Sequence, residues 1–176
     1  MEALKNLPWR RYGSVAIVIA TMIGGFMSSY AMPDEEATVA YSGDLPVEQV
    51  TIERQKGGLK ALSLEVVSKP VDLAMGLMYR KSMGTDQGML FQMGKPARPT
   101  SFWMKNTLIP LDIIFVAEDG RITHIHPNAK PHDLSPIPSN GPVTGVIELN
   151  GGRAAALEIQ VGDFVVHPYF SQTPKK

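Results

Sequence analysis

From Val47 onward the chain is divided into short apolar runs, each closed by a glycine pair, an Asp-Gly or a proline. This punctuation constrains the fold more than any other feature, because such runs suit strands and are too short for most helices. In VEQVTIER, Val50 and Ile52 alternate with Thr51 and Glu53, the pattern of a half-buried strand. Gly57-Gly58 then turns the chain. LKALSLEVV follows, with Leu62, Leu64 and Val66 on one face and Ser63 and Glu65 on the other, so a hairpin is predicted. GMLFQM is a short apolar run, and TSFWMK and LDIIFVAE carry apolar residues on both faces, as in the covered centre of a sheet. Asp119-Gly120 turns the chain into RITHIHP, whose strand should stop at Pro127. Residues 128–142, rich in proline, read as a long irregular loop. VTGVIELN is a further strand, and IQVGDFVVH reads as a strand pair around Gly162-Asp163. The one convincing helix lies in SKPVDLAMGLMYR: Ser68 can cap it, Pro70 suits its first turn, and Leu73, Leu77 and Met78 recur at helical spacing as far as about Arg80. RAAALE adds a helical turn or two. About eight short strands and one main helix predict an α+β, mainly β domain: a closed or strongly curled antiparallel sheet, resembling a small β-barrel, with the helix covering one opening. Met75, Met78, Met83 and Met89 read as gap-filling core.

The ends of the chain carry their own signals. Lys5, Arg10 and Arg11 precede a stretch without charge from Tyr12 to Pro33, and Ser29-Tyr30-Ala31 resembles a cleavage site, so residues 1–31 read as a signal peptide cut after Ala31. The alternative is an uncleaved membrane anchor, since the uncharged stretch approaches a bilayer-spanning length, although Gly24-Gly25 weakens a continuous helix. Either reading puts the domain outside the cytoplasm, periplasmic or secreted in the first case and membrane-anchored in the second. Residues 32–46 are acidic and bounded by prolines, a flexible tether. A single domain is expected over 47–168, with 169–176 as a tail.

The 17 basic and 17 acidic residues cancel, which argues against the basic surface that nucleic-acid binding needs. With no cysteine in the chain, thiol nucleophiles, disulfides, iron–sulfur clusters and cysteine zinc sites are excluded. No cofactor is implied, and a monomer is expected.

Several blocks form a familiar set: GLMYR (Gly76 to Arg80), GMLF (Gly88 to Phe91), FWMKNTLIPLDIIFV (Phe102 to Val116), VIELNGG (Val146 to Gly152) and VGD (Val161 to Asp163). In this order they resemble the prokaryotic family known as domain of unknown function 192, from about Thr51 to Val166. The resemblance implies a small β-rich domain, often carried behind a signal peptide or lipoprotein signal. This chain lacks the cysteine that lipid attachment would need. The family has no established activity to carry over.

The candidate chemistry starts with Lys105-Asn106-Thr107, a polar trio inside an apolar block. Asn and Thr side chains bond nearby backbone, so the trio can build a turn ahead of Pro110. It can equally supply polar groups to a pocket. Asp112 shares a strand face with Ile114 and Val116 and needs a partner, with Lys105 or Arg80 the obvious choices. Glu148 is a second acid inside an apolar strand, on the face of Val146. If Asp112 and Glu148 converge, they can act as general acid and base. His124 and His126 share a strand face with Ile122, and His132-Asp133 follows in the proline-rich loop, a weak set of metal ligands. No serine sits in a GxSxG elbow, and no glycine loop matches a nucleotide fingerprint. Three readings follow. The first is a non-catalytic exported domain that binds a small polar molecule or an envelope partner at a pocket around Arg80, Trp103, Lys105, Asn106, Asp112 and Glu148. The second is a small envelope hydrolase using Asp112 and Glu148. The third is a metal-binding accessory protein using His124, His126 and His132.

Overall fold

The computed structural model describes residues 45–171. The expected signal peptide or anchor over 1–31, and most of the expected tether, lie outside them. Nine strands form: β1 (Val47–Glu53), β2 (Leu59–Val67), β3 (Gln87–Gln92), β4 (Ser101–Phe102), β5 (Leu111–Val116), β6 (Ile122–Ala129), β7 (Ile137–Pro138), β8 (Gly145–Asn150) and β9 (Phe164–Val166). Two short helices, α1 (Pro70–Met75) and α2 (Arg153–Ala156), complete the elements among the described residues. No helix among the described residues is long and apolar enough to cross a membrane.

Seven strands make one sheet in the order β6-β5-β8-β3-β2-β1-β9, and β4 pairs only with β7. The β1–β2 hairpin forms as the alternation and Gly57-Gly58 predict. The sheet is mixed, because β2 and β3 run parallel. The reason is α1, which lies between them in sequence: a helical crossover brings the chain back in the same direction, where a tight turn would reverse it. The sheet is a strongly curled half-barrel. Arg121, just ahead of edge strand β6, forms an isolated bridge with Phe164 of the other edge strand, β9. Beside it the Ile122 N–H donates to the Asp163 carbonyl and the Gly162 N–H to the Ile122 carbonyl, each at 2.8 Å.

All seven strands contribute to one buried cluster, including Ile52, Leu64, Leu90, Ile114, Ile122, Ile147 and Val165, so this is the inner face of the curl. A second cluster covers the outer face of the central strands and includes Met89, Phe91, Ile113, Phe115 and Val146 under Leu77 and Met104. Strand β5 is therefore buried on both sides along its whole length, as its continuous apolar sequence requires.

Several boundaries differ from those read in the sequence. Helix α1 ends at Met75, well short of Arg80, because Gly76 adopts φ 50° and its N–H closes the last turn on the Asp72 carbonyl. Its N-cap is Lys69, with no side-chain cap bond, and Ser68 does not fill that role. The TSFWMK run is a strand only over Ser101–Phe102, since Met104 to Thr107 form a turn closed by the Thr107 N–H on the Met104 carbonyl at 3.1 Å. Pro127 does not stop β6, because a bulge takes it up, with Asn128 at φ 49°. The loop after Asn128 contains β7. Gly162-Asp163 joins no hairpin, for β9 pairs with β1. The ordered chain also continues past Pro168: Phe170 is buried in the inner cluster, and Tyr169 donates its hydroxyl to the Thr144 carbonyl at 2.9 Å.

Candidate functional site

The central strands decide where the two acids go. In the β5–β8 register Ile113 faces Glu148 and Asp112 faces Leu149. Directly opposed residues share a face and successive residues alternate, so Glu148 lies on the outer face and Asp112 on the inner one. They do not form a pair. Close approach of β3 and β8 depends on Gly88, where a Cβ would stand 2.2 Å from the Glu148 carbonyl oxygen.

Asp112 is a structural anchor. One carboxylate oxygen accepts the N–H groups of Asn128 and Gly152, each at 2.9 Å, and the other accepts that of Ala154 at 2.8 Å. It therefore holds the β6 bulge and the first turn of α2 together, taking N–H groups that a helix start leaves without partners. Asp163, the acid of VGD, works similarly by accepting the N–H of Gln55 and of Gln160, each at 2.8 Å.

Glu148 has none of this. It is 5% exposed, and burial is what acts on its carboxyl, with no hydrogen bond or neighbouring charge among the described residues contributing. Burial alone raises it from an ordinary 4.5 to about 8, because a dry surrounding disfavours the charged form. It lines a cavity of about 210 Å³ between the outer sheet face and the segment from Leu73 to Met78. The other walls are Phe91, Met93, Ser101, Phe102, Trp103 and Thr107. Phe91 and Phe102 meet edge to face, with centroids 5.0 Å apart. The site is thus an apolar, aromatic and thioether-lined hollow with one protonatable group in its wall. Such a carboxyl can donate a hydrogen bond when protonated and pair with a cation when ionised.

The family model for DUF192, described as an uncharacterized ACR, matches residues 51–167. The chain belongs to the DUF192 family. Two solved structures are similar to it. One, a candidate transcription regulator from Sinorhizobium meliloti 1021, is 42% identical with a TM-score of 0.68, over 69% of this chain and 94% of its own. The other, a protein of unknown function from Novosphingobium aromaticivorans DSM 12444, is 39% identical with a TM-score of 0.67, over 81% of this chain and all of its own. None of the curated proteins matches.

In this DUF192 domain, only Trp103 and Glu148 of the six residues grouped from sequence line the cavity. Arg80 binds Glu65 through two nitrogens at 2.5 Å each. Lys105 does not pair with Asp112, whose oxygens are taken by backbone; its ammonium stands 5.4 Å from the Trp103 ring centre. Asn106, at φ 53°, is the left-handed residue of the turn, a role suited to Asn. Its side chain donates to the Tyr79 hydroxyl at 2.6 Å and its carbonyl accepts the Tyr79 N–H at 2.8 Å. The polar trio builds a turn that docks on Tyr79, and its Thr107 also reaches the cavity wall.

The histidines do not assemble. Among the described residues no group of three His, Cys, Asp or Glu side chains could hold a metal ion. His124 and His126 share a face, opposite Phe115 and Ile113, and His124 stacks on Phe115 at 5.7 Å. Ile122 is not on that face, because the register slips between Phe115 and Val116 and a bulge turns the strand over. His132 sits at φ 60° in the following loop. Beside it Asp133 is held below its ordinary value by the Ser135 N–H.

Sequence reasoning missed most of the walls. Met75 and Met78 line the cavity, whereas Met89 is core and Met83 packs against it. The unusual density of methionine around α1 was the available signal, since thioethers are common at adaptable binding surfaces.

Proposed function

We propose that this DUF192 domain is an exported, non-catalytic binding protein whose cavity takes a small molecule with an apolar stem and one polar head. The observation that carries the reading is the Glu148 carboxyl, buried without a partner in the wall of an apolar hollow. A buried polar group left unsatisfied costs stability, and a ligand head that completes it accounts for that cost. The volume of about 210 Å³ lies below the roughly 300–1,000 Å³ of drug-sized sites, so the occupant is small. Export rests on the basic N-terminus followed by an uncharged run. The balance of 17 basic and 17 acidic residues lends no support to a nucleic-acid partner. An acid–base hydrolase using Asp112 and Glu148 has no geometric support, since the sheet separates the two.

The test is an amide-resolved NMR titration of the domain with a set of small alcohols, amides, amines and acids on short branched carbon stems. Binding is expected to shift Phe91, Met93, Phe102, Thr107 and Glu148 together. If no compound of any class perturbs these residues, the binding reading fails.

A further inference from the structure

The proposed pocket takes more than a generic polar head. We infer that its ligand is a small organic ammonium, with the cation against Glu148 and the apolar stem among Phe91, Phe102, Met75 and Met78. The assignment rests on the binding role argued above and names the ligand class.

Three observations carry it. Among the described residues Glu148 is the only acidic or basic side chain in the cavity wall, so none of them neutralises its ionised form inside it. The rings of Phe91, Phe102 and Trp103 share that wall, and aromatic faces attract cations through their quadrupoles, the arrangement that recognises ammonium ligands. The remaining polar wall groups are the Ser101 and Thr107 side chains, the Trp103 indole N–H and backbone, none of which offers a positive charge to an anionic head.

Charged and titratable groups on neighbouring elements are engaged outside the wall. Arg80 is bound to Glu65, Lys105 lies over Trp103, and Tyr79 bonds Asn106. Asp72 of α1 is buried with an interaction of its own, and His124 of β6 stacks on Phe115. His126, on the same strand, also stays outside the wall.

The experiment titrates the folded domain with isopentylammonium, 4-methylpentanamide and 4-methylpentanoate by calorimetry from pH 6 to pH 9. An ammonium needs Glu148 ionised, so its binding releases a proton below about pH 8. Its affinity should rise about 50-fold between pH 6 and pH 8 and level off above, following the ionised fraction. Glu148→Gln should abolish that rise and weaken binding at pH 8. A neutral acceptor behaves oppositely, because it needs the proton: tighter binding of the amide than of the ammonium, with loss of affinity above pH 8, overturns the ammonium assignment while leaving a ligand site in place. Binding of the carboxylate overturns it too. Failure of all three probes removes the binding role itself. Comparison with Nα-acetyl-lysine N-methylamide separates the sources: tighter binding than isopentylammonium points to a protein side chain, and weaker binding to a free amine.

Discussion

Replacing Glu148 with Gln should stabilise the unliganded domain, by an amount that depends on pH. Gln has the same shape and cannot ionise, so the comparison isolates the cost of the charge. The folded carboxyl titrates near 8 against an ordinary 4.5. At pH values between these two, the folded protein holds a proton that the unfolded chain has released, so wild-type stability falls as pH rises from about 4.5 and becomes flat above about 8. At about 1.4 kcal/mol per pH unit, the loss reaches about 3 kcal/mol at pH 7, about 4 kcal/mol at pH 8 and a limit of about 5 kcal/mol above it. The variant carries none of this loss. Urea unfolding of both proteins from pH 4 to pH 9 should give nearly equal stabilities at pH 4 and a gap that widens to several kcal/mol by pH 8. At pH 7 the gap corresponds to a melting temperature higher by about 10 °C. A variant as stable as wild type at pH 8, or less stable, would refute the reasoning, because the carboxyl would then have to be solvated or paired. A stabilising substitution in a cavity wall also marks the trade between stability and function that binding sites show.

Two structural predictions complement it. Asp112→Ala should cost about 3–5 kcal/mol in urea unfolding, because three backbone N–H groups, that of Ala154 buried and those of Asn128 and Gly152 partly so, lose their carboxylate acceptor at once; a loss under about 1 kcal/mol would mean that water replaces it freely. Phe170→Ala should cost about 3–5 kcal/mol by the same measurement, since the ring is 3% exposed and fills the inner cluster. A neutral effect would return Phe170 to the tail suggested by the sequence.

Much of the sheet was legible because strand burial is written as alternation. Val50 and Ile52, or Leu62 and Leu64, declare their face without reference to any other part of the chain, and Gly57-Gly58 declares the turn between them. The alternation of LDIIFV and VIEL likewise assigned Asp112 to the face of Ile114 and Glu148 to the face of Val146. Bulges defeat this reasoning. The slips at Phe115–Val116 and at Asn128 depend on what β5 presents across the ladder, so Ile122 parts from His124 and Pro127 stays inside its strand. The length of α1 was overestimated because Leu73, Leu77 and Met78 keep apolar spacing past Gly76, whose backbone leaves the helix.

The sequence alone determined the mainly β class, the hairpin, the family blocks and the presence of two acids inside apolar strands, all properties of neighbours along one chain. Their fates were decided only in three dimensions. Asp112 meets N–H groups brought from Asn128, Gly152 and Ala154, while Glu148 shares its cavity with rings and thioethers from segments far away in sequence, and burial is what acts on its carboxyl. A carboxyl becomes an anchor or a site according to which dipoles reach it, and that depends on how distant segments pack.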